Sequence, residues 1–201
     1  MSMAINKNLL DSLMYKSEKP MLQTEVSPKM LEILNQRQLE TISASQTANQ
    51  LLEGSGLANV SDFMTNLAMK ESKIGGDDEW SGSYSPFQID PIGYKDFVEK
   101  ADVNQPGKGS YNRERVNFVN EFLKGVGYGE DFDIAGFSFD KDSVGDELRE
   151  PLIGALVTRM KLGSIPGKLI PTDLKGQAKY WKKHWNTKAG AGKPEEFMNQ
   201  V

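Results

Sequence analysis

The sequence predicts a mainly helical fold with one small β-hairpin or loop. Three observations carry this expectation. First, apolar residues recur three and four positions apart, as on one face of a helix: Phe63 and Leu67; Val116, Val119 and Leu123; Leu152, Ala155, Leu156 and Met160. Second, glycine and proline fall between these stretches, at Gly54-Ser55-Gly56, Gly125 and Pro151, where helices stop or start. Third, the segment 73–90, with Gly75, Gly76 and Gly82 among short polar residues, has the composition of a hairpin or loop.

Taken in order, residues 1–26 are weakly patterned. Ser27-Pro28 is a helix start, with serine as cap and proline in the first turn. Leu31, Leu34, Ile42 and Leu52 then share a stripe, which predicts one long helix or two short ones over 28–53, although "TISASQTANQ" is a weak helix former. "NVSDFMTNLAMKES" predicts a helix capped by Ser61, with Asp62 in its first turn. "RERVNFVNEFLKG" predicts another, ended by Gly125, and "GVGYGEDFDIAGFSFD" an aromatic, glycine-rich connection. "SVGDELREPLIGALVTRMKLG" is helical, with Pro151 either kinking the helix or opening its main part. "PTDLKGQAKYWKKHWNT" is the last predicted helix.

Composition removes several chemistries. With no cysteine, there is no disulfide scaffold, thiolate metal site or cysteine nucleophile. A single histidine, His184, is too few for an ordinary zinc hydrolase, so no metal or other cofactor is expected. No apolar run approaches the roughly 18 residues of a membrane span, and the N-terminus lacks the pattern of a secretory signal. Residues 159–193 hold nine Lys or Arg and a single acid, Asp173, against 24 basic and 28 acidic residues in the whole chain. That basic stretch is suited either to an anionic polymer or to plain solvation, but no nucleic-acid motif accompanies it. Gly125–Gly129 follows a helix and lacks the spacing of a phosphate loop, and "GAGKP" lacks the first glycine and the Ser/Thr of a Walker loop. Trp181 and Trp185, four apart, are read as core residues.

One position stands against its surroundings. Glu71 follows Leu67 by four and continues an apolar helix face into the last turn. There it meets the negative end of the helix dipole, and any burial adds to the effect. Both raise the pKa of a carboxyl, as a general acid at neutral pH requires. Beyond it, 80–88 supplies Trp80, Tyr84 and Phe87 with Ser83, Ser85 and Gln88, the flat aromatic and hydrogen-bonding groups that sugars need.

Glu71-Ser72 at a helix end, then Gly82 and Phe87-Gln88-Ile89, resembles the signature of lytic transglycosylases and goose-type lysozymes, with Ser85 where the second glycine is usual. The run "GQAKYWKKHWNTKAGAGKPEEF" is similar to the tail of phage-encoded members. The resemblance covers roughly 57–201 and implies an N-terminal helical arm or extension over 1–55 and a lysozyme-like catalytic domain over 56–201, of mainly α (α+β) type. It implies cleavage of the MurNAc–GlcNAc bond of peptidoglycan glycan strands. Glu71 would protonate the glycosidic oxygen and then act as base while the sugar's 6-hydroxyl closes a 1,6-anhydro ring. Ser72 would hold the glutamate or the substrate, and Ser83, Tyr84, Ser85, Phe87 and Gln88 would line the groove. The tyrosine that such enzymes place near the glutamate has no clear counterpart, leaving Tyr180 or Tyr128. Asp90 stands at the position of a goose-type aspartate, so Asp90 or Asp78 would be the second carboxylate, holding water, if the enzyme were a hydrolase; the other reading of Asp90 is structural capping or loop bonding. Asp77 and Glu79 are read as solvated. A wall-degrading chain without a signal peptide fits a phage product, made in the host cytoplasm and delivered to the wall from a virion or at lysis, with other virion proteins as partners and no stable membrane insertion. An inactive wall-binding virion protein, or a helical interaction protein in which Glu71 is incidental, are the competing classes.

Overall fold

The computed structural model describes residues 36–53, 60–72, 85–101, 113–139, 146–165, 169–186 and 190–201. Among these the chain is mainly helical: α1 (Gln36–Leu51), α2 (Val60–Ser72), α3 (Pro91–Ala101), α4 (Arg113–Gly125), a 3₁₀ turn (Asp146–Arg149), α5 (Pro151–Gly163), α6 (Leu174–His184) and α7 (Pro194–Gln200). Isolated bridge residues at Ile89 and Phe139 are the only β features among them. Of the expected hairpin or loop at 73–90, only 85–90 falls within the described residues. No described helix is long and apolar enough to cross a membrane.

α5 is the central helix. It buries Ile153, Ala155, Leu156, Val157, Thr158, Arg159, Met160 and Leu162, which run around its whole circumference. A helix apolar on all sides needs neighbours on all sides. Pro151 opens it rather than kinking it, and Glu150 caps it by accepting from Ile153 N.

α1 packs along α5 and contacts α2. Its buried face is small (Thr41, Ala44, Ser45, Ala48), which lets two helices approach closely. The weak helix formers are tolerated because their hydroxyls bond back to carbonyls one turn earlier: Thr41 to Arg37 O at 2.9 Å, Ser45 to Thr41 O at 2.9 Å and Thr47 to Ser43 O at 3.0 Å. Arg159, itself buried, donates to Leu52 O at 3.0 Å and satisfies a carbonyl just past the end of α1. Ala44, Ala48, Leu51 and Leu52 belong to the same apolar cluster as Phe63, Leu123 and Leu156. Residues 36–53 thus share the core with the helices that follow; the rest of the expected helical arm or extension over 1–55 lies outside the described residues.

The sequence reading had no helix at 91–101. α3 is nonetheless locally specified: Asp90 Oδ1 accepts from Gly93 N at 2.5 Å, and proline follows at the first helical position. α3 carries Tyr94 into the core. Its hydroxyl donates to Ile134 O at 3.0 Å and accepts from Phe137 N at 3.1 Å, and its ring stacks on Phe137. The irregular 126–139 connection is therefore anchored through a side chain. Tyr94→Phe would leave a buried N–H and a buried C=O unpaired and should cost about 1–3 kcal/mol, read as a lower denaturant midpoint with an unchanged slope.

Candidate active site

The site is built where α2 ends. Phe63 and Leu67 are fully buried on one face of α2, and the helical repeat carries that face on to Glu71. Trp181 of α6 reaches it from across the fold: its indole N–H donates to Glu71 Oε1 at 2.6 Å. Burial pushes the Glu71 carboxyl above the usual carboxylate range, while the indole hydrogen bond and the Lys70 charge hold it back. Glu71 Oε2 has no partner among the described residues.

The indole is itself fixed on several sides. Lys70 Nζ lies 5.5 Å from a ring centroid, and Lys70 pairs with Glu196 of α7 at 3.9 Å. Phe197, also of α7, packs on Trp181 with centroids 5.5 Å apart and stacks on Phe63 at 6.2 Å. A Cβ at Gly192 would lie 2.6 Å from Trp181 Cη2, so only glycine fits beside the ring. Asn66 Nδ2 donates to Gln177 Oε1 at 2.7 Å and ties α2 to α6 one turn further back.

Ser72 joins the helix end to the turn that follows in space. Its hydroxyl is buried and bonds Pro86 O at 2.6 Å and Ala68 O at 3.2 Å. The turn is tight: Gln88 N donates to Ser85 O at 3.0 Å, and Phe87 N to Ser85 Oγ at 3.2 Å. Ser85 has φ +86° and Gln88 φ +53°, the left-handed region that side chains usually avoid. Ser85 thus adopts a glycine-like backbone, and its own hydroxyl, accepting from the backbone two residues on, helps hold it. A Cβ at Gly154 of α5 would meet Ser85 Cβ at 2.7 Å, so α5 supports the turn at van der Waals contact.

Glu71, Ser72 and the 85–88 turn are thus brought together, with different roles among them. The Ser72 hydroxyl donates to backbone carbonyls and positions the helix end. Ser85 and Phe87 are completely buried, so they shape the turn and do not line a groove as the sequence reading had it. The Gln88 side-chain amide is buried and finds no partner for Nε2 or Oε1 among the described residues. A buried amide left unpaired is costly. Asp90 is exposed, and its Oδ1 is occupied in capping α3. Asp78, Ser83 and Tyr84, with Trp80 and Gly82, lie outside the described residues.

Neither tyrosine candidate bonds Glu71. Tyr128 donates to Glu150 Oε2 at 2.8 Å and reinforces the cap of α5. Tyr180 packs edge-on against Phe63 and beside His184. Its hydroxyl is buried without a partner among the described residues, and burial pushes it up to about 12. The residue that sequence reasoning missed is Trp181. Its spacing to Trp185 marks it as core, and it is 1% exposed. The further signal was chemical: a buried indole N–H needs an acceptor, and Glu71 is an acid on a buried face.

Another charged residue set deep in the fold serves elsewhere. Lys161, at the end of α5, donates to Gly93 O at 2.8 Å and lies 5.3 Å from a Trp185 ring centroid. Burial lowers its pKa to about 8, against the pull of Asp96 and Asp90. Among the described residues no group of His, Asp and Glu is placed to hold a metal ion. Comparison of the chain with known protein families, with curated proteins and with solved structures finds no match.

Proposed function

We propose that the chain is a peptidoglycan-cleaving glycosidase of the lytic transglycosylase type, with Glu71 as general acid and then base. The observation that supports this best is the state of Glu71: a half-buried carboxyl with raised pKa, one oxygen held by an indole N–H and the other unpartnered among the described residues. A solvated helix-end acid would show neither the burial nor the indole bond. The glycine-like φ of Ser85 adds support, since the resemblance places a glycine there.

In this reading the neutral carboxyl protonates the glycosidic oxygen between MurNAc and GlcNAc, and the bond to the leaving sugar breaks. The resulting carboxylate then takes the proton of the MurNAc 6-hydroxyl as that oxygen bonds C1, which returns Glu71 to its neutral form. No second carboxylate is needed. Retaining hydrolysis would require one about 5–5.5 Å away, and inverting hydrolysis one about 6.5–9.5 Å away with room for water. Asp90, occupied as a helix cap, favours ring closure over hydrolysis. Delivery to the wall is proposed to be by a phage particle or at phage-induced lysis.

Mass spectrometry of products from purified peptidoglycan in ¹⁸O-water tests the reading. Expected are 1,6-anhydro ends, lighter by one water and unlabelled. Label in the new MurNAc ends would establish hydrolysis instead, and wall binding without released product would establish an inactive binding protein. Activity is expected to survive EDTA unchanged, because one histidine and no cysteine do not supply an ordinary zinc site. Loss with EDTA and recovery with zinc would overturn the proposal.

A further inference from the structure

We infer that Trp181 is the positioning residue of the acid: by donating to Oε1 of Glu71 it confines the acid's transferable proton to Oε2. The inference deepens the proposed function and rests on Glu71 being the acid, but its geometry does not depend on the substrate.

The reasoning is one of hydrogen-bond capacity. An indole N–H only donates. At 2.6 Å from Trp181 Nε1, Oε1 must present a lone pair toward the ring. In the neutral carboxyl Oε1 is then the acceptor, and the proton sits on Oε2, which has no competing partner among the described residues. After proton transfer the same N–H bonds a carboxylate and strengthens, as hydrogen bonds to ionised groups do. The arrangement therefore stabilises the state that the acid reaches when it has given up its proton.

The ring is held rigidly enough to do this. Gly192 abuts its far edge, Phe197 packs against it, and Lys70 lies near its ring. Charged groups near the acid are few among the described residues. Lys70 is on its own helix, Glu196 of α7 faces Lys70, and α6 presents the neutral indole. Tyrosine was the expected partner of Glu71. A tyrosine hydroxyl both donates and accepts, so it would leave open which partner carries the proton, whereas an indole does not.

The test follows the indole N–H of Trp181 by proton–nitrogen NMR across pH, without substrate. The chain has three tryptophans, so three indole signals are to be assigned. In the wild type the Trp181 signal should shift with the same midpoint as the Glu71 carboxyl carbon, and in Glu71→Gln it should stay fixed. An indole signal that ignores the Glu71 titration in the wild type overturns the inference. Trp181→Phe should raise the Glu71 midpoint further, since the lost bond favoured the charged form. It should also lower turnover about ten- to hundredfold with little change in KM. A Trp181→Phe protein that folds and titrates as the wild type also overturns it. If that variant does not fold, the comparison of wild type with Glu71→Gln decides alone. Absence of wall cleavage by the wild type would defeat the glycosidase reading while leaving the indole titration to stand or fall by itself.

Discussion

Glu71→Gln should abolish wall cleavage and at the same time make the protein more stable at neutral pH. The activity half follows from the proton. Glutamine keeps the shape of the side chain and an oxygen for the Trp181 N–H, but it has no proton to give and cannot act as base. Acid catalysis alone contributes about 10²–10⁴ in rate, and a group serving in both steps should cost at least that. The stability half follows from linkage. The folded-state pKa of Glu71 is raised, so its contribution is fully present below the ordinary carboxyl pKa and is lost as pH rises through the raised value. At pH 7 the wild type carries the cost of that burial and the glutamine variant does not. The variant's melting temperature should therefore exceed the wild type's at pH 7, and the gap should close as pH falls toward the ordinary carboxyl value. Equal activity in the two proteins, with matching circular dichroism, would remove Glu71 from the mechanism. A gap that widens on acidification would show that the Glu71 pKa is not raised on folding.

Gly154→Val should damage the site without touching it. The new Cβ would lie 2.7 Å from Ser85 Cβ and 3.1 Å from Leu148 O. Neither neighbour gives way easily. Ser85 is locked at φ +86° in a turn closed by two hydrogen bonds, and Leu148 is completely buried. Forcing carbon into such contacts costs about 1–3 kcal/mol, and a rigid neighbour puts this site at the upper end. At this chain length that is a fall in melting temperature of roughly 6–12 °C. Displacing the turn also moves Pro86 O, the acceptor that holds Ser72 beside Glu71, so activity should fall more than stability explains. Gly129→Val is the control, because nothing lies within 4 Å of a Cβ there. A Gly154→Val protein with wild-type melting would show that the turn and α5 are not in contact as described.

Much of the fold was legible because its helices carry periodic apolar faces. α4 shows this directly: Val116, Val119 and Leu123 were expected inward, and all three are fully buried. α3 was missed although Asp90-Pro91 is a helix start: a capping or loop role was weighed for Asp90 beside water activation, but no helix was read beyond it. α1 reads weakly, since its stability comes from small residues against α5 and hydroxyls bonding back to the chain, neither of which is a periodic signal. In the site, Glu71 was legible as an acid out of place on an apolar face. Trp181 was not, because the partner of a residue 110 positions away leaves no local pattern. Ser85 and Phe87 were misplaced for a related reason: composition suggests what a groove needs, but not which side chains turn inward.

That separation of 110 residues also bears on how the protein acquires its reactive centre. Contacts between distant parts of a chain carry a closure entropy and tend to form late in folding. Helix α2 can form from its own sequence, yet its last turn gains a partner only when α6 docks, and the indole is seated only when α7 brings Phe197 against it. The chemistry is thus gated by completion of the chain: a truncated or incompletely folded molecule has the glutamate but not the environment that makes it an acid. Pulsed hydrogen exchange during refolding should show amides at the end of α2 protected together with those of α6, and later than those in the middle of α5.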